Sequence, residues 1–169
     1  IKNFIFNEHE LLENFNLENI VSNYGNFDIK LYNKENNSIP IFLDFLKAST
    51  VFKNDNSSNY ISENNHDFLT ESSLIKHLQN IDILLRPYGI SKINYDIIMG
   101  SANSYTNFKY SLNPRNFLYA LNGELDITLT IPNNKKYLHI EKDYINNEFY
   151  SKIDIHNVTD NFLKDYSKI

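Results

Sequence analysis

The stretch TNFKYSLNPRNFLYALNGELDITLTIP, residues 106–132, decides how this chain is read. Asn122-Gly123 sits between two apolar-rich arms. That dipeptide is the strongest short signal for a two-residue hairpin turn, because both turn positions need positive φ. The pattern predicts antiparallel strands over 115–121 and 124–131, with Leu118 and Ile127 or Leu129 in the core. Residues 104–111, SYTNFKYS, read as a further strand. Pro132 stops the last strand, since proline cannot donate to a ladder.

Working outward, INYDIIMGS (93–101) reads as a strand closed by Gly100 and Ser101, and NYIS (59–62) as a short one. Between them, residues 64–87 predict one or two helices. Ser72 and Ser73 lie midway, and Pro87 forces the end. Phe68, Leu69, Leu74, Ile75 and Leu78 make one apolar side there. Packing against the chain's own sheet is the preferred reading over a partner-binding helix. Further upstream, FDIKLYN (27–33) alternates apolar and polar residues, the period of a half-buried strand. SIPIFLDFLKAST (38–50) carries Ile41, Phe42, Phe45 and Leu46 at helical spacing. Pro40 fits its first turn, with Ser38 or Ile39 as cap. Two short helices or turns precede these, near 8–15 and 17–23, the second capped by Asn16. The tail from 133 on is rich in Asn, Asp and Lys, with a helix around 160–166. The order predicts an α+β fold: N-terminal helices over about 1–87, then a mainly antiparallel β-sandwich or jelly roll over about 88–160.

The 169 residues suit a single domain, 1–169, and can bury a core without a covalent staple. Twelve Phe and twelve Tyr supply much of the apolar surface. With no Cys, disulfides, thiolate metal sites and Cys nucleophiles are excluded. The net charge is −5 and the basic residues are scattered, which argues against nucleic-acid binding. No apolar run approaches the roughly 18 residues of a membrane span. An intracellular, cytoplasmic setting is compatible with both. Heavy use of Asn, Ile, Lys and Tyr is the bias of AT-rich codons and carries no mechanism.

The succession FLDFLKAS, NYIS, LLRP and NYDIIMGSANSYTNFKYSLNPRNFLYALNGELDITLTIP resembles the cupin-like domain of the JmjC hydroxylases. It looks most similar to divergent members from giant DNA viruses and protists. The likeness runs over about 21–157 and is specific over 100–132. It implies a double-stranded β-helix, a jelly roll. In active members it implies Fe(II) and 2-oxoglutarate, with iron held by His-x-Asp/Glu on one strand and a distant His. Residues i and i+2 of a strand share a face, so both ligands enter the barrel. Here the matching tripeptide is Lys109-Tyr110-Ser111. An ammonium offers iron no lone pair, and a serine hydroxyl replaces a carboxylate poorly. Leu125 matches the basic residue that anchors the co-substrate carboxylate in relatives. The third ligand would lie beyond residue 157. The chain therefore reads as part of a longer protein whose sheet should expose a strand edge.

Lys109, Tyr110 and Arg115 form a candidate pocket for an anion or carboxylate, against the reading that Lys109 faces solvent or pairs with an acid. The resemblance adds Thr106 and Asn116, which match positions that contact co-substrate in related enzymes. His139-x-Glu141, with Asp154 or His156, is the one ligand-like spacing among the five histidines. It reads better as a surface pair. No Gly-x-Ser-x-Gly or phosphate loop is present. The expected function is a catalytically degenerate cupin-like domain, without cofactor, that binds a protein partner or serves an assembly, including a virion. The alternatives are an Fe(II)/2-oxoglutarate protein hydroxylase and a metal-free small-ligand or carbohydrate-binding cupin.

Overall fold

The computed structural model describes residues 13–34, 39–82, 85–144, 148–154, 156 and 158. The fold is α+β, with antiparallel sheets of four and three strands. The chain forms two compact units, Ile1–Tyr105 and Thr106–Ile169.

The first unit opens with helix α1, Leu17–Tyr24. Asn16 caps it by accepting a hydrogen bond from the Glu18 amide at 2.8 Å, which satisfies one of the donors every helix start leaves open. Strand β1, Asp28–Asn33, follows. Its Ile29 and Leu31 are buried while the intervening side chains are not, as the alternation predicts. Strand β2, Ile41–Asp44, pairs antiparallel with β1, from Asp28↔Asp44 to Leu31↔Ile41. Helix α2 then runs Phe45–Asn54. This corrects the expectation of a helix from residue 40. A short apolar run fits either period, and the open edge of β1 decides for strand. Asp44 ends the strand and caps the helix, accepting from the Lys47 amide at 2.8 Å.

Strand β3, Tyr60–Ser62, pairs with the far end of β1, and strand β4, Met99–Gly100, pairs with β3. The sheet order is β2-β1-β3-β4. The predicted strand over 93–101 is thus strand only at its end. Between β3 and β4 lie α3, His66–Glu71, and α4, Ile75–Ile81. They break at the two serines, where Ser73 takes a φ of 63°. Phe68, Leu69 and Leu74 are buried inside this unit. The Phe68 ring stacks on Phe45 at 5.3 Å and meets Phe27 edge-on at 6.5 Å. Burying each such side chain contributes about 1.5–3 kcal/mol.

The second unit holds β5, Lys109–Ser111; a 3-10 helix, Pro132–Tyr137; β6, Ile140–Asp143; and β7, Glu148–Ser151. The sheet order is β5-β7-β6. Its core is Leu138, Phe149 and Ile153. Strands β6 and β7 fall in the tail that sequence patterning left without strands. The predicted strand over 104–111 shrinks to β5.

The hairpin expectation is overturned. Residues 112–131 form no ladder. Leu118, Ile127 and Leu129 are 60%, 55% and 87% exposed instead of in the core. Gly123 has a φ of 79°, but Asn122 is not among the positive-φ residues. The type I′ turn that Asn-Gly favours needs positive φ at both positions, and type II′ needs it at the first. With it only at the second, the arms splay. Pro132 does end the stretch, as the first residue of the 3-10 helix. Among the described residues both sheets are open, with edges β2 and β4 in one and β5 and β6 in the other. The helices expected near 8–15 and 160–166 lie wholly or mostly outside the described residues.

Candidate functional site

Strand register in the second unit sorts the side chains into two faces. Lys109 lies opposite Tyr150, and Ser111 opposite Glu148. On the other side of β7, Glu141 lies opposite Tyr150 and Asp143 opposite Glu148. Residues directly opposite each other in an antiparallel pair project to the same face. Lys109, Ser111, Glu141, Asp143, Glu148 and Tyr150 therefore share one face. Tyr110 and Phe149 share the other, their rings stacked at 4.9 Å over the buried core.

The Lys109 ammonium lies 3.5 Å from a Glu148 carboxylate oxygen, with both side chains about one quarter exposed. The Ser111 hydroxyl donates to Asn116 Oδ1 at 3.1 Å and accepts from the Asn113 amide at 3.3 Å. Beside them Lys152 pairs with Glu141 at 3.0 Å. The Tyr150 hydroxyl titrates above its ordinary value, first through desolvation and then through the neighbouring Glu141 carboxylate. This face is a row of acids matched by two lysines.

The pocket residues named from sequence are not all brought together. Asn116 meets Ser111. Tyr110 sits on the opposite strand face, with the Lys135 ammonium 4.9 Å above its ring. Thr106 is half-buried, and Arg115 is exposed on the unpaired segment. Leu125 is 56% exposed. His139 precedes β6 at a φ of 48°, and Glu141 is engaged with Lys152. Asp154 accepts from the His156 amide at 2.9 Å, a local turn. Among the described residues, no three His, Asp or Glu side chains are placed to hold a metal. The donor set at Lys109 and Ser111 does not fit iron: one group is a cation, and the other is neutral and already bonded.

A concavity of about 630 Å³ in the first unit is lined by Thr50, Val51, Asn54, Asp55, Asn56, Ser57 and Tyr60. Asp55 dominates its chemistry but is spent on the loop itself. Its carboxylate accepts from the amides of Ser57, Asn59 and Tyr60 and from the Ser57 hydroxyl. The Ser101 and Ser57 hydroxyls hold it well below the usual carboxylate range. The buried Ser101 hydroxyl has no hydrogen-bond partner among the described residues, so the bonded donors to Asp55 are Ser57 and the loop amides. Asp55 organises the turn between α2 and β3.

Sequence reasoning missed a second polar cluster in this unit. The Tyr95 hydroxyl donates a short hydrogen bond to Asp82 Oδ2, and Arg86 Nε donates to Asp82 Oδ1 at 2.7 Å. Asp82 and Arg86 stand four residues apart, a spacing that signals a helical ion pair. Tyr95 gives no sequence signal, because a loop return brings it back. Also missed were Asp143 of β6 and Glu148 of β7. The alternation of Phe149, Ser151 and Ile153, all buried, was their legible trace.

No protein-family model, no curated protein and no solved structure matches this chain. Among the described residues, no helix is long and apolar enough to cross a membrane.

Proposed function

We propose that the chain is a degenerate cupin-like domain of the JmjC type that acts by binding, with a protein partner, and not by oxygenase chemistry. One observation carries the reading. The two side chains that would replace the iron ligands do share a strand face, and the cation among them is turned to a carboxylate 3.5 Å away. An ammonium paired in this way supports the reading, since it offers iron no lone pair and already engages the neighbouring carboxylate. The jelly-roll assignment rests on the residue pattern over 100–132, since the 115–131 arms are unpaired, and fold class alone does not assign a role.

Elemental analysis of protein purified without chelator, with 2-oxoglutarate turnover followed as succinate, is the test. The expected result is neither stoichiometric iron nor succinate. Stoichiometric iron, or succinate formation abolished by Lys109→Ala, would establish the hydroxylase instead. In the converse experiment, Lys109→His with Ser111→Asp gains Fe(II) affinity without turnover if the two positions face a metal-sized space.

A further inference from the structure

The cluster at the end of α4 borders a concavity of about 300 Å³. It is lined by Gln79, Arg86, Ile90, Ser91, Lys92, Ile93 and Tyr95. Its charge is unbalanced. The Asp82 carboxylate is satisfied from two sides, by the Tyr95 hydroxyl and by Arg86 Nε. One terminal nitrogen of Arg86 also donates to the Gln79 carbonyl at 3.1 Å and the Tyr95 oxygen at 3.4 Å. The other, Nη1, has no protein partner among the described residues. Lys92 and Ser91 likewise make no side-chain hydrogen bond or ion pair among the described residues.

The guanidinium is held in a fixed orientation by Asp82 and Gln79, so its outer edge is presented without a further ordering cost. Counting Asp82 against Arg86 leaves Lys92 as a net positive charge in the lining. Planar guanidinium donors beside a mobile ammonium suit a tetrahedral oxyanion. Ile90 and Ile93 supply the apolar part of a mostly polar lining. The volume is at the lower end of what small-molecule sites occupy.

We infer that this concavity is a binding site for a small phosphate-bearing molecule, held by Arg86 Nη1 and Lys92 with the Ser91 hydroxyl. The site lies in the first unit and does not depend on the iron question. Two charge-assisted contacts at a solvent-open site give a dissociation constant on the order of millimolar for inorganic phosphate. A phosphate monoester, which adds contact with the isoleucines, binds more tightly.

The test is amide chemical-shift titration of the intact chain with inorganic phosphate, glycerol phosphate and acetate at matched ionic strength. Both phosphates should give saturable shifts confined to the amides of Ser91, Lys92, Tyr95 and their neighbours, and acetate should not. Lys92→Glu should weaken phosphate binding by about tenfold or more with an unchanged unfolding midpoint, since Lys92 makes no side-chain hydrogen bond or ion pair among the described residues. Lys76→Glu, an equal change of charge on an exposed position of α4 outside the concavity, should leave the affinity within about twofold. Shifts that never saturate, acetate binding as tightly as phosphate, or equal weakening by the two variants would each overturn the assignment.

Discussion

The Tyr95 phenol has its pKa pushed up to about 12. Desolvation is the largest cause, followed by the hydrogen bond and charge of Asp82, and Arg86 opposes them. A phenol whose folded pKa lies above its unfolded value, about 10, binds its proton more tightly in the fold. Its contribution to stability is complete below about pH 10 and is lost as pH rises through about 12. Spectrophotometric titration of phenolate should show one tyrosine ionising last, near that value, and Tyr95→Phe should remove it. The same variant should cost about 1 kcal/mol at neutral pH, because Asp82 loses a donor. A last ionisation that survives Tyr95→Phe would place the perturbed phenol elsewhere. At Lys109 the residue scale reads differently. That Lys109 and Ser111 suit iron poorly was visible in the sequence, whereas the Glu148 partner of Lys109 was not. Ligand chemistry is a property of residue type, but an ion pair between distant strands is a property of register.

Asn65, at the start of α3, joins β1, β3 and the segment before β4, and is 1% exposed. Its Oδ1 accepts from the Lys30 amide of β1 at 2.9 Å, and its Nδ2 donates to the Ser62 hydroxyl of β3 at 2.8 Å and to the Ile97 carbonyl at 3.0 Å. Its own amide donates to Asp96 Oδ1 at 2.7 Å, just before α3. Asp96 pulls against this arrangement. Its carboxylate titrates above the ordinary value through desolvation, although three backbone amides favour the charged form. The residue as a whole keeps solvent exposure, so the effect belongs to the oxygens turned onto the chain. Asn65→Ala would leave an amide, a hydroxyl and a carbonyl without partners. We expect a loss of about 3 kcal/mol in urea denaturation. A loss below about 1 kcal/mol would mean that water replaces the side chain, and the joint would not be structural. Sequence patterning found α1, β1, β3 and the α3–α4 break because cap, alternation and Ser-Ser punctuation are local. It misjudged β2, whose apolar run takes its period from the strand beside it.

Across the whole molecule, regular pairing is concentrated in the two sheets, and residues 112–131 lie outside both. Hydrogen exchange should reproduce that division. Amides of β1 and β7, each paired on both sides, should exchange slowly, whereas those of 115–131 should exchange near the unprotected rate. Strong protection over 115–121 and 124–131 would show that the hairpin expected from Asn122-Gly123 forms in solution. Charge, cysteine content and the absence of Lys/Arg blocks were decided by composition, and with them the exclusion of thiolate chemistry. Local order was decided wherever one turn or one strand face carries its own signal, as at Asn16, Ile29 and Leu31. The tertiary structure alone decided the rest: β6 and β7 in a polar tail, the face shared by Lys109 and Glu148, and the return of Tyr95 to Asp82. The physical reason is range. Capping and alternation act within a few residues, whereas strand register and buried polar pairing join segments whose separation no local pattern encodes.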